Sequence, residues 1–352
     1  MSQRFHASPG AARALGLAGI LFALSFAPAL AQTLFVVNGS GTTVGAYDAN
    51  TGAVINASFI SSPISPMSVA VSGNDLFVGY WGDSGGNGNG RGVARYNATT
   101  GALIDPSFIP GVAPTGMTVL NNTLYVADYM WDTVGSYNAT TGAVINASLF
   151  SGINNHLWGA LAAVPDASIY GTDVVFFSSI GIPGTTGYAG GVFGHPSPSY
   201  PDEPYLEITM MSDRNGETHH GIYGLAHSGN LMWAVHEDGK IVAYDDHYGL
   251  PVAGPAVITG SQVPFAATAY GNTLFVSNLG GTVATYNATT GELINASFIT
   301  GLNGPFSMAV MPASAVPEPA TYAALLGLAA IGAVVLRRRA ALKASPADAA
   351  SR

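Results

Sequence analysis

The sequence contains no cysteine among its 352 residues, and it has few basic side chains. Without cysteine there is neither a disulfide framework nor a thiol nucleophile, so packing and hydrogen bonds must hold the fold. Between Gln32 and Val316, four basic residues stand against eighteen acidic ones, a net charge of −14. Such a region repels phosphate backbones, so nucleic acid is not an expected partner, and cations or neutral polymers are favoured. A P-loop and a dinucleotide fingerprint are also missing from the sequence.

The first thirty-one residues have the three parts of a secretory signal peptide. Arg4 and Arg13 form a basic start, Leu15 to Phe26 is apolar, and Ala29-Leu30-Ala31 is a cleavage site of the A-x-A type. We therefore predict an exported protein whose signal helix, residues 1–31, is removed so that the mature chain begins at Gln32.

The last forty residues, 313–352, form a second targeting segment. They contain Pro317-Glu318-Pro319, an apolar run from Thr321 to Leu336, and the basic cluster Arg337-Arg338-Arg339. At about 1.5 Å per residue, the sixteen apolar residues cover about 24 Å as a helix, somewhat less than a hydrocarbon core of about 30 Å. The arginines are expected to remain cytoplasmic, which leaves the preceding chain outside the inner membrane.

This order of tripeptide, apolar segment and basic cluster resembles the PEP-CTERM sorting signal of Gram-negative bacteria that make extracellular polysaccharide. The resemblance implies an exosortase-type protease that cuts near Pro317-Glu318-Pro319 and discards the transmembrane helix. The expected destination is the cell surface or extracellular matrix, after an inner-membrane intermediate. A permanent single-span anchor is the alternative, and the sequence leaves it open.

The region between the two targeting segments is built from a repeat. The fourteen-residue sequence from Tyr47 to Ile60 recurs nearly unchanged from Tyr96, Tyr137 and Tyr286, and in weaker form from Tyr244. Spacings near 42 residues are typical of a four-stranded propeller blade. Its Asn-Ala-Thr-Thr-Gly core has the chemistry of a tight turn, because Asn caps the turn and Gly supplies the positive φ.

Two further recurring strands complete the predicted blade. One is apolar, as in Leu34-Phe35-Val36, and the other is an innermost strand whose third residue is small. The predicted innermost strands start with Pro66-Met67-Ser68, Pro114-Thr115-Gly116, Leu157-Trp158-Gly159, Ile222-Tyr223-Gly224, Pro264-Phe265-Ala266 and Pro305-Phe306-Ser307. The repeat at the N-terminal end has no innermost strand before it, and the innermost strand at the C-terminal end has no outer strands after it. These two parts of the chain should therefore pair to form one complete blade.

We therefore predict an all-β fold, a six-bladed β-propeller over residues 32–312, closed by pairing of its N- and C-terminal strands. It resembles NHL-type and YVTN-type propellers. A stacked solenoid is the alternative. In a propeller, the repeated turns lie on one face, and the loops that enter each innermost strand lie on the other, where ligand sites are usual.

Aromatic residues on this second face suggest a sugar-binding surface, because flat rings can stack on pyranose faces. The candidates are Trp81, Tyr129, Trp131 and Trp158. Packing between blades is the alternative role for these rings. The favoured function is an exported binding or structural module, with extracellular polysaccharide as its candidate ligand.

Histidines on the same face suggest a second, catalytic hypothesis. His156, His219 and His220 could hold a divalent cation that activates water, which is how the resembled gluconolactonase-like and streptogramin-lyase-like propellers work. The alternative function is thus a metal-assisted hydrolase or lyase. Histidines at loop tips also serve as turn formers, and no family metal motif fits this chain residue by residue.

Overall fold

The computed structural model describes residues 32–82, 90–151, 160–167, 172–178, 192–196, 206–208, 221–246, 252, 257–258, 263–313 and 336. The predicted signal helix lies outside these residues, and so does the sorting tail apart from Ala313 and Leu336. In the part of the chain that is described, no helix is long and apolar enough to cross a membrane.

The described residues contain twenty-four β-strands. The first twelve are β1 (Thr33–Asn38), β2 (Thr43–Asp48), β3 (Val54–Ser61), β4 (Pro66–Ser72), β5 (Asp75–Tyr80), β6 (Gly92–Asn97), β7 (Leu103–Pro110), β8 (Pro114–Leu120), β9 (Thr123–Asp128), β10 (Thr133–Asn138), β11 (Val144–Phe150) and β12 (Leu161–Ala167). The others are β13 (Thr172–Ser178), β14 (Val192–Pro196), β15 (Leu206–Ile208), β16 (Ile222–Ser228), β17 (Leu231–His236), β18 (Ile241–Asp245), β19 (Val257–Ile258), β20 (Pro264–Tyr270), β21 (Thr273–Asn278), β22 (Thr282–Asn287), β23 (Leu293–Ile299) and β24 (Pro305–Met311).

These strands form antiparallel sheets arranged around a channel. Over the described ranges there are six sheets of four strands: sheet 1 has the order β24-β1-β2-β3, and sheets 2 to 6 follow as β4–β7, β8–β11, β12–β15, β16–β19 and β20–β23. The innermost strands contact one another in sequence, and β24 contacts both β20 and β4, which closes the ring. The prediction of an all-β propeller is confirmed.

Sheet 1 is assembled from both ends of the propeller. β24 pairs with β1 in an antiparallel register that runs from Thr33 opposite Met311 to Asn38 opposite Pro305. This is the pairing that the sequence predicted from the missing innermost strand. Because β24 ends where β1 begins, Gln32 and Pro312 leave the ring side by side.

The continuous apolar strands are explained by burial on both sides. In β1, Leu34 and Val36 pack against sheet 6, whereas Phe35 and Val37 pack against sheet 2. All four side chains are fully buried. Each contributes about 1.5–3 kcal/mol through removal of apolar surface from water. A strand between two neighbouring sheets therefore has no polar face to alternate with the apolar one.

The fourth sheet differs from the sequence prediction. Its innermost strand begins at Leu161, and the predicted start at Leu157-Trp158-Gly159 lies outside the described residues. Ala160 is the small residue that lines the channel here, beside Gly116 and Ala266 of other sheets. Sheet 4 lacks the Asn-Ala-Thr-Thr-Gly repeat, so the sequence offered no turn from which to set its register.

The ring has two distinct faces. The turn face carries the turns between first and second strands, such as Ser72–Asp75, together with the repeated Asn-Ala-Thr-Thr-Gly turns. The two kinds of turn are joined within a sheet, since the Thr99 hydroxyl lies 2.6 Å from Oδ1 of Asn74. The loop face carries the other loops. Both chain ends leave from the turn face, because β24 ends there and β1 starts there.

The glycine of the repeated turn joins neighbouring sheets. Gly52, Gly101 and Gly142 have φ values of 75°, 72° and 74°. A Cβ on Gly52 would collide with the carbonyl oxygen of Phe298 in sheet 6. Gly101 and Gly142 meet the carbonyls of Phe59 and Phe108 in the same way. Only glycine satisfies both the positive φ and this close approach.

The contact can be tested by comparing two glycines with almost the same φ. Gly301 has a φ of 76°, and a Cβ there would meet nothing within 4 Å. We expect Gly301→Ala to cost about 1–2 kcal/mol from backbone strain alone. Gly52→Ala should cost at least about 1 kcal/mol more, because the neighbouring carbonyl must move. Urea unfolding of both variants measures the difference, and equal losses would contradict this account of the repeat.

Candidate functional site

The innermost strands present side chains to the channel through β-bulges. In β4, β8, β16 and β20 the register shifts at the second residue, which is Met67, Thr115, Tyr223 and Phe265 respectively. Phe306 holds the same position in β24. A bulge redirects a side chain, and all five of these residues line the channel near the loop face.

Three of these residues form a continuous aromatic row, called here the channel arc. The rings of Tyr223 and Phe265 are nearly parallel with centroids 5.1 Å apart, and Phe265 lies 5.1 Å from Phe306 at 58°. Burial and the nearby Glu237 carboxylate raise the pKa of Tyr223. The three residues of the channel arc line a cavity of about 60 Å³, and a second cavity of about 300 Å³ lies in the channel towards the turn face.

A buried polar residue ends the second strand of every sheet. These six residues are Asn38, Tyr80, Asp128, Ser178, His236 and Asn278. In sheets 1, 2 and 5 this residue bonds to the repeat tyrosine on the third strand: Asn38 bonds to Tyr47, the hydroxyls of Tyr80 and Tyr96 lie 2.7 Å apart, and the Tyr244 hydroxyl lies 3.1 Å from Nε2 of His236. In sheets 1 and 6 the residue is asparagine, whose Nδ2 donates to Oγ1 of Thr43 and of Thr282, whereas its chemistry differs among the other four sheets.

Asp128 anchors the loop that carries the predicted aromatic residues. Its Oδ1 accepts hydrogen bonds from the backbone N–H groups of Ala113, at 3.1 Å, and Met130, at 2.9 Å. The N–H of Tyr129 bonds to the carbonyl of Ala113 at 3.0 Å. Burial raises the pKa of the Asp128 carboxyl, and these backbone donors oppose the shift. The loop is therefore held at two points before it reaches Trp131.

The structure brings two of the predicted sugar-binding residues together. Trp81, after β5, and Tyr129, after β9, have ring centroids 4.7 Å apart and an interplanar angle of 42°. Trp131 follows in the same loop as Tyr129 and is 71% exposed, and the neighbouring Met130 is also exposed. The fourth candidate, Trp158, lies outside the described residues. These four residues remain a predicted binding site.

The predicted metal ligands cannot be placed. His156, His219 and His220 all lie outside the described residues, as do Pro317, Glu318, Pro319, Arg337, Arg338 and Arg339 of the tail. Among the residues that are described, no three His, Cys, Asp or Glu side chains come together in a way that could hold a metal ion. The cation site therefore stays a prediction.

Val263 has a strained backbone on the loop face. Its φ is 45°, and it is the one apolar residue other than glycine that has a positive φ in the described ranges. The equivalent residues before β16 and β24 are Gly221 and Gly304, with φ values of 59° and 60°. All three carbonyls accept the same hydrogen bond from the loop after the second strand, at 3.0–3.1 Å.

This strain has an energetic cost. A β-branched residue in the left-handed region is an outlier and costs about 1–3 kcal/mol, which glycine would avoid. The Val263 side chain is 62% exposed, so burial does not offset the cost. Leu279, whose N–H bonds to the Val263 carbonyl, is a second exposed apolar residue at this place. Strained residues that packing does not explain are often functional.

Sequence reasoning missed Val263, Leu279 and the channel arc. In the sequence, the small third residue is the feature that the innermost strands share, whereas the bulge residue before it varies from methionine and threonine to tyrosine and phenylalanine. An alignment of the repeats would have given one signal, namely that Val263 stands where sheets 5 and 1 have glycine. Its exposure and φ could not be read from the sequence.

Comparison with known proteins supports the fold. A solved structure described as "Crystal structure of Nidogen/Laminin Complex" aligns with a TM-score of 0.62 and 11% identity, over 80% of this chain and 99% of the other. A computationally designed protein, Ika8, aligns with a TM-score of 0.43 and 18% identity, over 75% of this chain and 74% of the other. A search of curated proteins gave no match.

The family comparison concerns the C-terminal segment. Residues 315–339 match the model of the PEP-CTERM protein-sorting motif. This motif indicates export and sorting in Gram-negative bacteria, and it implies processing by an exosortase. The chain is therefore a β-propeller protein that carries a C-terminal PEP-CTERM protein-sorting motif.

Proposed function

We propose that this protein is an exported binding module that holds extracellular polysaccharide through the loop face of a six-bladed propeller. The observation that carries the proposal is the grouping of Trp81 with Tyr129 beside the exposed Trp131. Rings of this kind stack on the apolar faces of sugars, and Trp and Tyr contribute large contact areas at low entropic cost.

The anchoring of the aromatic loop supports a binding role. The Ala113 carbonyl accepts from the N–H of Tyr129, and the Asp128 carboxylate accepts from the N–H of Met130, so the rings are ordered before any ligand arrives. Preorganisation of this kind lowers the entropic cost of binding. A neutral polysaccharide also suits a domain whose net charge is −14 between Gln32 and Val316.

The positions of the chain ends support an outward orientation of the site. Gln32 and Pro312 leave from the turn face, and the aromatic loop lies on the opposite face. A tail attached to the inner membrane would hold the turn face towards the bilayer and leave the loop face accessible. We propose that the tail passes through such an intermediate and is then removed, which releases the propeller to the cell surface or matrix.

The binding proposal is tested with the double variant Trp81→Ala and Trp131→Ala. Retention on polysaccharide from the host's own matrix should fall at least about tenfold, since each stacked ring typically contributes 1 kcal/mol or more. The melting temperature should change little, because Trp131 is exposed and Trp81 is only partly buried.

Leu279→Ala is the matched control for this experiment, because Leu279 follows β21 as Tyr129 follows β9. It should keep normal retention. If the tryptophan variant binds like wild type, or loses retention only by unfolding, the loop face is not a polysaccharide site.

The sorting proposal is tested with Glu318→Ala in the native host. Wild-type protein should be trimmed and located at the surface, whereas the variant should remain longer and membrane-bound, because the protease no longer recognises its tripeptide. Glu292→Ala, an acidic residue of the propeller, serves as the control and should be sorted normally. Equal mass and location for Glu318→Ala and wild type would argue for a permanent anchor.

A further inference from the structure

An apolar patch on the loop face of sheet 6 is separate from the tryptophan loop. It consists of Val263 and Leu279, which are 62% and 38% exposed, and of Phe265, the central ring of the channel arc. The hydrogen bond from the Leu279 N–H to the Val263 carbonyl holds the two residues next to each other. We call these three residues the sheet 6 patch.

The strain at Val263 indicates that the patch is retained for a reason other than stability. Glycine would relieve the positive φ, as Gly221 and Gly304 do in the equivalent loops. Valine instead keeps an exposed branched side chain beside a second exposed aliphatic one. A strained backbone conformation that brings no gain in packing is expected at a functional site.

The geometry of the rings favours a protein ligand over a sugar at this place. Tyr223 and Phe265 are stacked at 17°, so their faces cover each other and do not both remain available for a pyranose. Exposed Val and Leu side chains beside ring edges are typical of surfaces that receive apolar side chains.

The charge around the sheet 6 patch indicates which residues the ligand carries beside its apolar side chains. The loop after β17 carries the exposed Glu237 and Asp238 and the base Lys240, which pairs with Asp238 at 4.0 Å, and the Glu237 carboxylate lies close to Tyr223, the first ring of the channel arc. A second copy of this acidic domain would be repelled, whereas a segment with Lys or Arg would be attracted. We propose that the sheet 6 patch binds a peptide segment of another protein that contains both apolar and basic residues.

Synthetic peptides test this proposal directly. The probes are two labelled ten-residue peptides, in which Leu alternates with Lys or with Glu, and fluorescence polarisation measures their binding to the purified propeller. The Leu–Lys peptide should bind, and the Leu–Glu peptide should not. Binding by neither peptide, or equal binding by both, would overturn the proposal.

Val263→Gly is the decisive variant, because it removes the side chain and also relieves strain. It should weaken the Leu–Lys peptide about tenfold or more, as truncation of an interface anchor does. Its melting temperature should equal or exceed that of wild type. A lower melting temperature would show that Val263 is kept for packing, and unchanged binding would show that the patch is not the site.

Two further variants separate this site from general charge attraction and from the polysaccharide site. Val144→Ala changes an equally exposed valine on an outermost strand and should bind the peptide normally. The Trp81→Ala and Trp131→Ala pair should also bind it normally, whereas Val263→Gly should keep its polysaccharide retention. Loss of both activities in one variant would mean that the face has a single site, and would contradict the proposal.

Discussion

The antiparallel pairing of β24 with β1 is the interaction on which the rest of the structure depends. It joins residues almost three hundred positions apart and supplies sheet 1 with its innermost strand. Without it, sheets 1 and 6 would each lose a neighbour, and apolar residues such as Phe35 and Phe275 would lose part of their cover. Each innermost strand is paired on one side only, and the closed ring places its other edge along the channel, where it is protected.

Closure of the ring divides the chemistry of the protein between two faces. The turn face is made from nearly identical turns, whose glycines must fit against the carbonyls of the preceding sheet. The loop face is under no such requirement, and the buried residue before its loops is asparagine in sheets 1 and 6 but differs among sheets 2 to 5. The loops of the loop face can therefore differ in binding chemistry, because contacts between sheets do not require a repeated sequence there.

The repeat and the apolar strands made much of the fold predictable. Turns of the Asn-Ala-Thr-Thr-Gly type set the strand register in sheets 2, 3 and 6, and the unmatched strands at the two ends predicted β24 with β1. Sheet 4 could not be placed, because it lacks the repeated turn. The proximity of Trp81 to Tyr129 followed from their equivalent positions, but the strain at Val263 depends on a backbone angle that no sequence pattern encodes.

The most direct test of this account compares two truncated propellers. One begins at Gln32 and ends at Ala313, and the other ends at Gly304 and so lacks β24. The longer protein should unfold in a single cooperative transition. The shorter one should lose most of the roughly 5–15 kcal/mol that stabilises a domain and show no cooperative transition. A melting temperature within about 2 °C of the longer protein, at which stability differs by less than about 1 kcal/mol, would contradict ring closure by these strands.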